Sequence, residues 1–162
     1  MAKETIKNGY GTKVTLEPTR AEMKAMMDKA RKGLKSKAPY KKVAVFLDRW
    51  VQKNFSKEGD LAQRGGWKSF SSSNLRLLKD PKAKLLQDTG RLRSSFIPFS
   101  SLFNAGIGSK LHYAKKHQEG KGALPPRPML PEKKQVWPDI KKILNLHTRD
   151  VLKNSFKGMK KR

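Results

Sequence analysis

The chain contains no cysteine. That excludes disulfides, thiolate metal ligands and cysteine nucleophiles. Acidic residues are scarce, with 13 Asp and Glu against 38 Lys and Arg in 162 residues, a formal net charge of +25. The acids are scattered, and no spacing pairs two carboxylates for acid–base work. Histidines are His112, His117 and His147. The first two are five apart, one more than the spacing that aligns two metal ligands on a helical face, and no H-E-x-x-H occurs. No apolar run approaches the roughly 18 residues of a membrane span. No apolar stretch follows Met1, Ala2 and Lys3, so no signal peptide is expected. The chain reads as neither a membrane protein nor an enzyme, and no metal or cofactor is expected.

What is abundant is positive charge, and it is uneven. Residues 1–57 carry 15 basic and 5 acidic groups, residues 58–105 carry 8 and 4, and residues 106–162 carry 15 and 4. Both ends therefore favour a polyanionic partner, whether nucleic acid, a membrane surface or a strongly acidic protein. The plainer alternative is a solvated helical surface that uses lysine, although small domains usually carry a net charge of about 2–8.

The patterning predicts an α+β fold. It comprises two N-terminal helices, a small antiparallel sheet with a long loop, and a C-terminal helix. A single domain over 1–162 is expected, with an N-terminal extension at 1–18, a long loop region at 56–90 and a basic tail at 157–162. Val14 and Leu16 alternate with polar neighbours as in a short strand. Residues 19–35 read as a helix opened by a Thr19–Glu22 capping box. Its Met23, Met26, Met27, Ala30 and Leu34 share one face, expected to be core. Residues 41–55 read as a second helix, antiparallel to the first, with Val43, Phe46, Leu47, Trp50, Val51 and Phe55 inward and Pro39 at the boundary before it.

In the loop region, Trp67 and Phe70 either pin the loop on the core or stack on bases. Residues 91–108 read as a hairpin, with Leu92, Ser94 and Phe96 on one strand face, Pro98 at an edge and a return strand near Leu102–Ile107. Ser109 would cap a short helix through Gln118, and Gly120 would stop it. Gly106-Ile107-Gly108-Ser109 could offer N–H groups to an anion, but it lacks a complete phosphate-binding fingerprint, so a strand end with a cap is the better reading. The proline-rich 121–131 reads as an extended crossing or a short strand, not a helix, with a proline-motif ligand as the functional alternative. Residues 138–157 form the last helix, with Pro138 in its first turn and Ile140, Ile143, Leu144, His147, Val151, Leu152 and Phe156 inward. Asp88, His117 and Glu119 could be imagined as a nuclease cluster, against which the scatter of the acids speaks.

Four short blocks stand in order over residues 55–132. They are Phe55-Ser56-Lys57-Glu58-Gly59 with Gly66-Trp67, then Leu85 to Ser95 around Thr89-Gly90-Arg91-Leu92, then Ile107-Gly108-Ser109 with Tyr113 to Gly120, and Pro126-Arg127-Pro128-Met129-Leu130 before a final helix. Together they resemble the virion-morphogenesis or tail-completion (neck) proteins of tailed bacteriophages. Glu119, Met129 and Pro131 stand where that family often has an aromatic, Phe and Gly. Residues 1–40 contribute nothing to the likeness.

The resemblance implies a structural assembly protein at the head–tail junction of the virion, made in the host cytoplasm. It would act as a homo-oligomeric ring that joins or completes the tail. Its implied partners are connector or portal-associated proteins, tail-terminator or tail-tube proteins, and genomic DNA in the channel. It also implies that Trp67, Thr89, Gly90, Arg91, Leu92, Gly108, Tyr113, His117, Gln118, Gly120, Pro126, Arg127 and Pro128 serve assembly. Candidate contacts to DNA or acidic partners are Lys68, Lys79, Lys82, Lys84, Lys115, Lys116, Lys157, Lys160, Lys161 and Arg162. The alternative is a free basic nucleic-acid-binding protein.

Overall fold

A computed structural model describes residues 4–7, 13–16, 20–69, 84–122 and 124–157. In chain order the elements are β1 (Glu4–Lys7), β2 (Lys13–Leu16), α1 (Arg20–Leu34), α2 (Ala38–Ser56), α3 (Arg91–Ser94), β3 (Phe96–Ser100), β4 (Ala105–Ser109), α4 (His112–Glu119) and α5 (Lys133–Ser155). The fold is α+β. It contains two antiparallel hairpins, β1–β2 and β3–β4. The chain forms two compact units, one of residues 1–36 and 144–162, the other of residues 37–143.

The smaller unit holds β1–β2, where Glu4 pairs with Leu16 and Lys7 with Lys13, as well as α1 and the last turns of α5. The strand expected at Val14 and Leu16 is β2. Gly33 is the close-approach residue of this unit, since a Cβ there would lie 2.7 Å from Val151. Lys29 Nζ donates to the Asn154 carbonyl at 3.2 Å, and His147 Nε2 lies 3.3 Å from the Gly33 carbonyl. The methionine stripe departs from expectation. Met23, Met27 and Leu34 are exposed, and only the line Met26, Ala30 and Gly33 is covered. The i, i+4, i+7 spacing of that line is a narrow seam, the width that one packed helical segment can cover. The Thr19 half of the expected capping box lies outside the described residues.

The larger unit is organised on α2. Val43, Leu47, Val51 and Phe55 recur every four residues and are all buried. Val51 and Phe55 enter a core with Trp67, Leu85, Leu92, Phe96, Ala114 and Met129. The Phe55 ring meets Trp67 edge-on at 5.3 Å and Phe96 at 5.7 Å between centroids. The helix is longer than its apolar pattern because Pro39 sits inside the first turn, where its missing N–H costs nothing. It ends in a Schellman turn. Gly59 N donates to Asn54 O at 2.9 Å and Glu58 N to Phe55 O at 3.1 Å. The left-handed position is Glu58, at φ 48°. Its carboxylate accepts the Leu85 N–H at 2.8 Å, so the side chain ties the second half of the long loop back to the helix end.

Three sequence boundaries are corrected. Residues 91–94 form a helical turn, not the start of a strand. Gly90 at φ 70° redirects the chain, Ser94 N bonds to Gly90 O at 3.0 Å, and Leu92 reaches the core from that turn. The return strand begins at Ala105 because Ser101 N donates to Asn104 O at 2.8 Å, leaving Leu102 and Phe103 as the hairpin loop. Ser109 therefore belongs to β4, and α4 starts at His112. Finally, α5 starts five residues before Pro138. Glu132 N donates to Gln135 Oε1 at 2.8 Å and Gln135 N to Glu132 O at 3.0 Å, a reciprocal capping arrangement that fixes the start. Pro138 consequently lies within the helix.

Asn54 is fully buried on the apolar face of α2. Its Nδ2 donates to the Pro128 and Met129 carbonyls at 3.2 and 3.3 Å, and its Oδ1 accepts the Ala62 N–H at 3.1 Å. An unsatisfied buried polar group costs about 1–3 kcal/mol. Asn54→Leu, near-isosteric but unable to hydrogen-bond, is expected to lower the urea unfolding free energy by roughly 2–4 kcal/mol, on the scale of large core defects.

Candidate functional site

The family-like blocks converge on one extended segment, residues 124–130. It lacks secondary structure, so its backbone polar groups must be satisfied from outside. Trp67 Nε1 donates to the Pro128 carbonyl at 2.9 Å, beside the two bonds from Asn54. Gln118 Oε1 accepts the N–H groups of Met129 and Leu130 at 2.7 and 3.1 Å. Arg127 N donates to the His117 carbonyl at 2.7 Å. The Arg127 guanidinium reaches the other way, its Nη2 donating to the carbonyls of Lys68 and Ser69 at 3.1 and 3.2 Å. The segment is thus latched from α2, from the loop after α2 and from α4, with Met129 as its buried anchor.

The local geometry of α4 makes the latch fit. Gly120 caps the helix at φ 69° and accepts no side chain, since a Cβ there would stand 2.6 Å from Pro126 N. Gly59, at φ 92°, makes the same kind of room for the Trp67 ring, 2.2 Å from its notional Cβ. Tyr113 and His117, one turn apart, meet edge-to-face at 6.2 Å, and His112 meets Tyr113 at 5.5 Å. His117 Nδ1 and Arg127 Nε are shielded from solvent and find no hydrogen-bond partner among the described residues. Burial, reinforced by the Arg127 charge, holds the His117 pKa below its ordinary 6.5, and burial also lowers that of Arg127.

The remaining predicted residues divide into four groups. Thr89, Gly90 and Arg91 form the turn into α3, with Thr89 Oγ1 accepting Arg91 N at 3.4 Å and Leu92 in the core. Gly108 lies in β4 opposite Ile97. Lys68, Lys84, Lys115, Lys116 and Lys157 are exposed. Lys79, Lys82, Lys160, Lys161, Arg162 and Phe70 fall outside the described residues. Trp67 is 5 % exposed, so its face is not available for stacking on a base. Among the described residues no three His, Asp or Glu side chains form a group that could hold a metal. Glu119 is engaged by Lys121 at 3.0 Å and Lys115 at 3.9 Å. The imagined Asp88–His117–Glu119 cluster is therefore not assembled as a metal site.

Sequence reasoning missed four side chains that hold this region. Asn54 was visible as a polar residue on an otherwise apolar helix face. Gln135 sends its Nε2 to the Leu61 and Ala62 carbonyls at 3.2 and 3.0 Å. Arg93 bonds Gln52 at 2.8 Å and Gln87 at 3.1 Å, while Gln87 Nε2 donates to the Phe55 carbonyl at 2.8 Å. No spacing rule pairs these residues, which are brought together only by the chain's return to α2.

In the larger unit the motif residues Trp67, Gln118 and Arg127 are committed to backbone groups of the chain itself. The chain belongs to the phage virion morphogenesis family, which matches residues 16–153. Neither a curated protein nor a solved structure matches it.

The half-buried His117, its Nδ1 shielded from solvent, gives the latch a pH dependence. Its folded pKa lies below 6.5, so the unfolded chain takes up the proton first and stability falls as pH drops below about 6.5. His117→Gln, which cannot titrate, is expected to flatten the acid limb of the urea midpoint between pH 7.5 and 5. An unchanged acid limb would place the dependence elsewhere.

Proposed function

We propose that this phage assembly protein acts at the head–tail junction, where a closed ring of identical subunits joins or completes the tail. Membership of the virion morphogenesis family over residues 16–153 carries this reading. The latch supports it, because the family-like residues build a rigid body and prepare no reaction. Closed cyclic symmetry is the usual way for identical subunits to assemble without leaving open surfaces. A net charge of +25, with Lys68, Lys84, Lys115, Lys116 and Lys157 exposed, suits the phosphates of DNA in the channel or acidic faces of connector and tail proteins.

The same charge also suits a free nucleic-acid-binding protein. Trp67 is buried and offers no stacking face for that role, whereas Phe99, Phe103 and Trp137 are exposed.

A phage carrying a nonsense mutation in this reading frame tests the proposal. Electron microscopy of the lysate is expected to show filled heads and tails that are not joined, and plasmid expression of the chain restores joining. Normal particles without the chain would overturn the reading. Removal of residues 157–162, six positions with four basic side chains, is expected to lower particle yield while leaving the urea midpoint of the subunit unchanged.

A further inference from the structure

Residues 94–109 contain no Asp, Glu, Lys, Arg or His, in a chain of which 31 % is charged. This neutral stretch is the β3–β4 hairpin with its approach. One face of the hairpin carries Phe96 into the core, and Ile107 packs against it. The opposite face is exposed, with Ile97 at 55 % and Phe99 at 57 %, and the loop adds Leu102 at 51 % and Phe103 at 73 %. Across the ladder, Ile97 and Phe99 face Gly108 and Gly106. The outer face is therefore two large apolar side chains over bare backbone. A contiguous apolar patch of this kind marks an interaction surface more often than scattered exposed residues do.

The hairpin edges differ. The Ser101–Asn104 bond sets the alternation of the antiparallel ladder, making 99/106 and 97/108 the bonded pairs. Pro98 then falls at a position whose nitrogen points away from β4, which removes the central donor from the β3 edge. The β4 edge keeps the outward N–H and C=O groups of Ala105 and Ile107, with no strand beyond it among the described residues.

Charge identifies the occupant. An acidic partner is drawn to the lysine-bearing surfaces and gains nothing from a neutral patch. A partner carrying the same positive charge is repelled by those surfaces and can come close only where charge is absent. A second copy of this chain, also at +25, is such a partner. We propose that the outer face and loop of the β3–β4 hairpin form the contact between copies of this chain. The inference rests on the ring reading above and names its interface.

The test is sedimentation velocity of the full-length protein, nuclease-treated, over a series of salt concentrations. Apolar association between like-charged copies tightens as salt screens the repulsion, whereas bridging by a polyanion weakens. The wild type is expected to form a discrete oligomer that tightens with salt. Gly108→Lys places a charge in the patch without disturbing the subunit, because nothing lies within 4 Å of a Cβ at that position. Gly108→Lys and Phe103→Lys are each expected to weaken association about tenfold or more, the effect of losing a central interface contact. Unchanged tryptophan emission and an unchanged urea midpoint confirm folding. A wild type that stays monomeric at high salt, an oligomer indifferent to both substitutions, or association that salt abolishes would each overturn the hairpin contact. None of these results bears on whether heads and tails join without the chain, so the two readings fail separately.

Discussion

The larger unit depends on one constraint, which is that a proline-rich segment must cross the core without secondary structure of its own. Residues 121–131 include Pro125, Pro126, Pro128 and Pro131. Such a segment cannot pair its own backbone groups, so each buried carbonyl and N–H needs a partner from elsewhere. Asn54, Trp67 and Gln118 supply those partners from α2, from the loop after it and from α4. Each contributes hydrogen bonds and fixes a piece of chain far away in sequence. Removing Asn54 or Gln118 leaves backbone groups of the segment without these partners, which is why the cost exceeds that of an ordinary surface bond, whereas the Pro128 carbonyl keeps its bond from Asn54 if Trp67 is lost.

Much of this architecture was legible in the sequence where a single period governs a segment. The every-fourth-residue row from Val43 to Phe55 makes α2 unmistakable, and the alternation at Val14–Leu16 marks β2. Boundaries were less legible where two local signals compete. Leu92, Ser94 and Phe96 alternate as a strand does, yet Gly90 in a left-handed conformation turns Arg91–Ser94 into a helical turn. Pro138 looks like a first-turn residue, yet the Glu132–Gln135 exchange starts α5 earlier. Methionine spacing indicated the face of α1 but not how much of it a neighbour would cover. The latch was legible only in part. Trp67, Gln118 and Arg127 stood out through their blocks, whereas their meeting at Pro128–Met129 depends on tertiary geometry.

That division bears on function. The residues that make the chain look like its family are largely committed to holding the subunit together. They specify a shape, and the shape leaves two kinds of surface available to partners. One is lysine-rich and suited to phosphates or acidic proteins. The other is the uncharged hairpin, the part of a strongly positive chain that another positive chain can approach. On the proposed reading, a subunit with both surfaces stands beside its own copies while presenting charge to a different partner.

On the proposed reading the chain is built into the virion as a fixed component. Quantitative mass spectrometry of purified particles, counting copies of this chain against the portal protein, tests it most directly. The account predicts a constant low ratio, about one ring's worth per particle under closed symmetry. Absence of the chain from intact particles, or a copy number that varies between preparations, would contradict it.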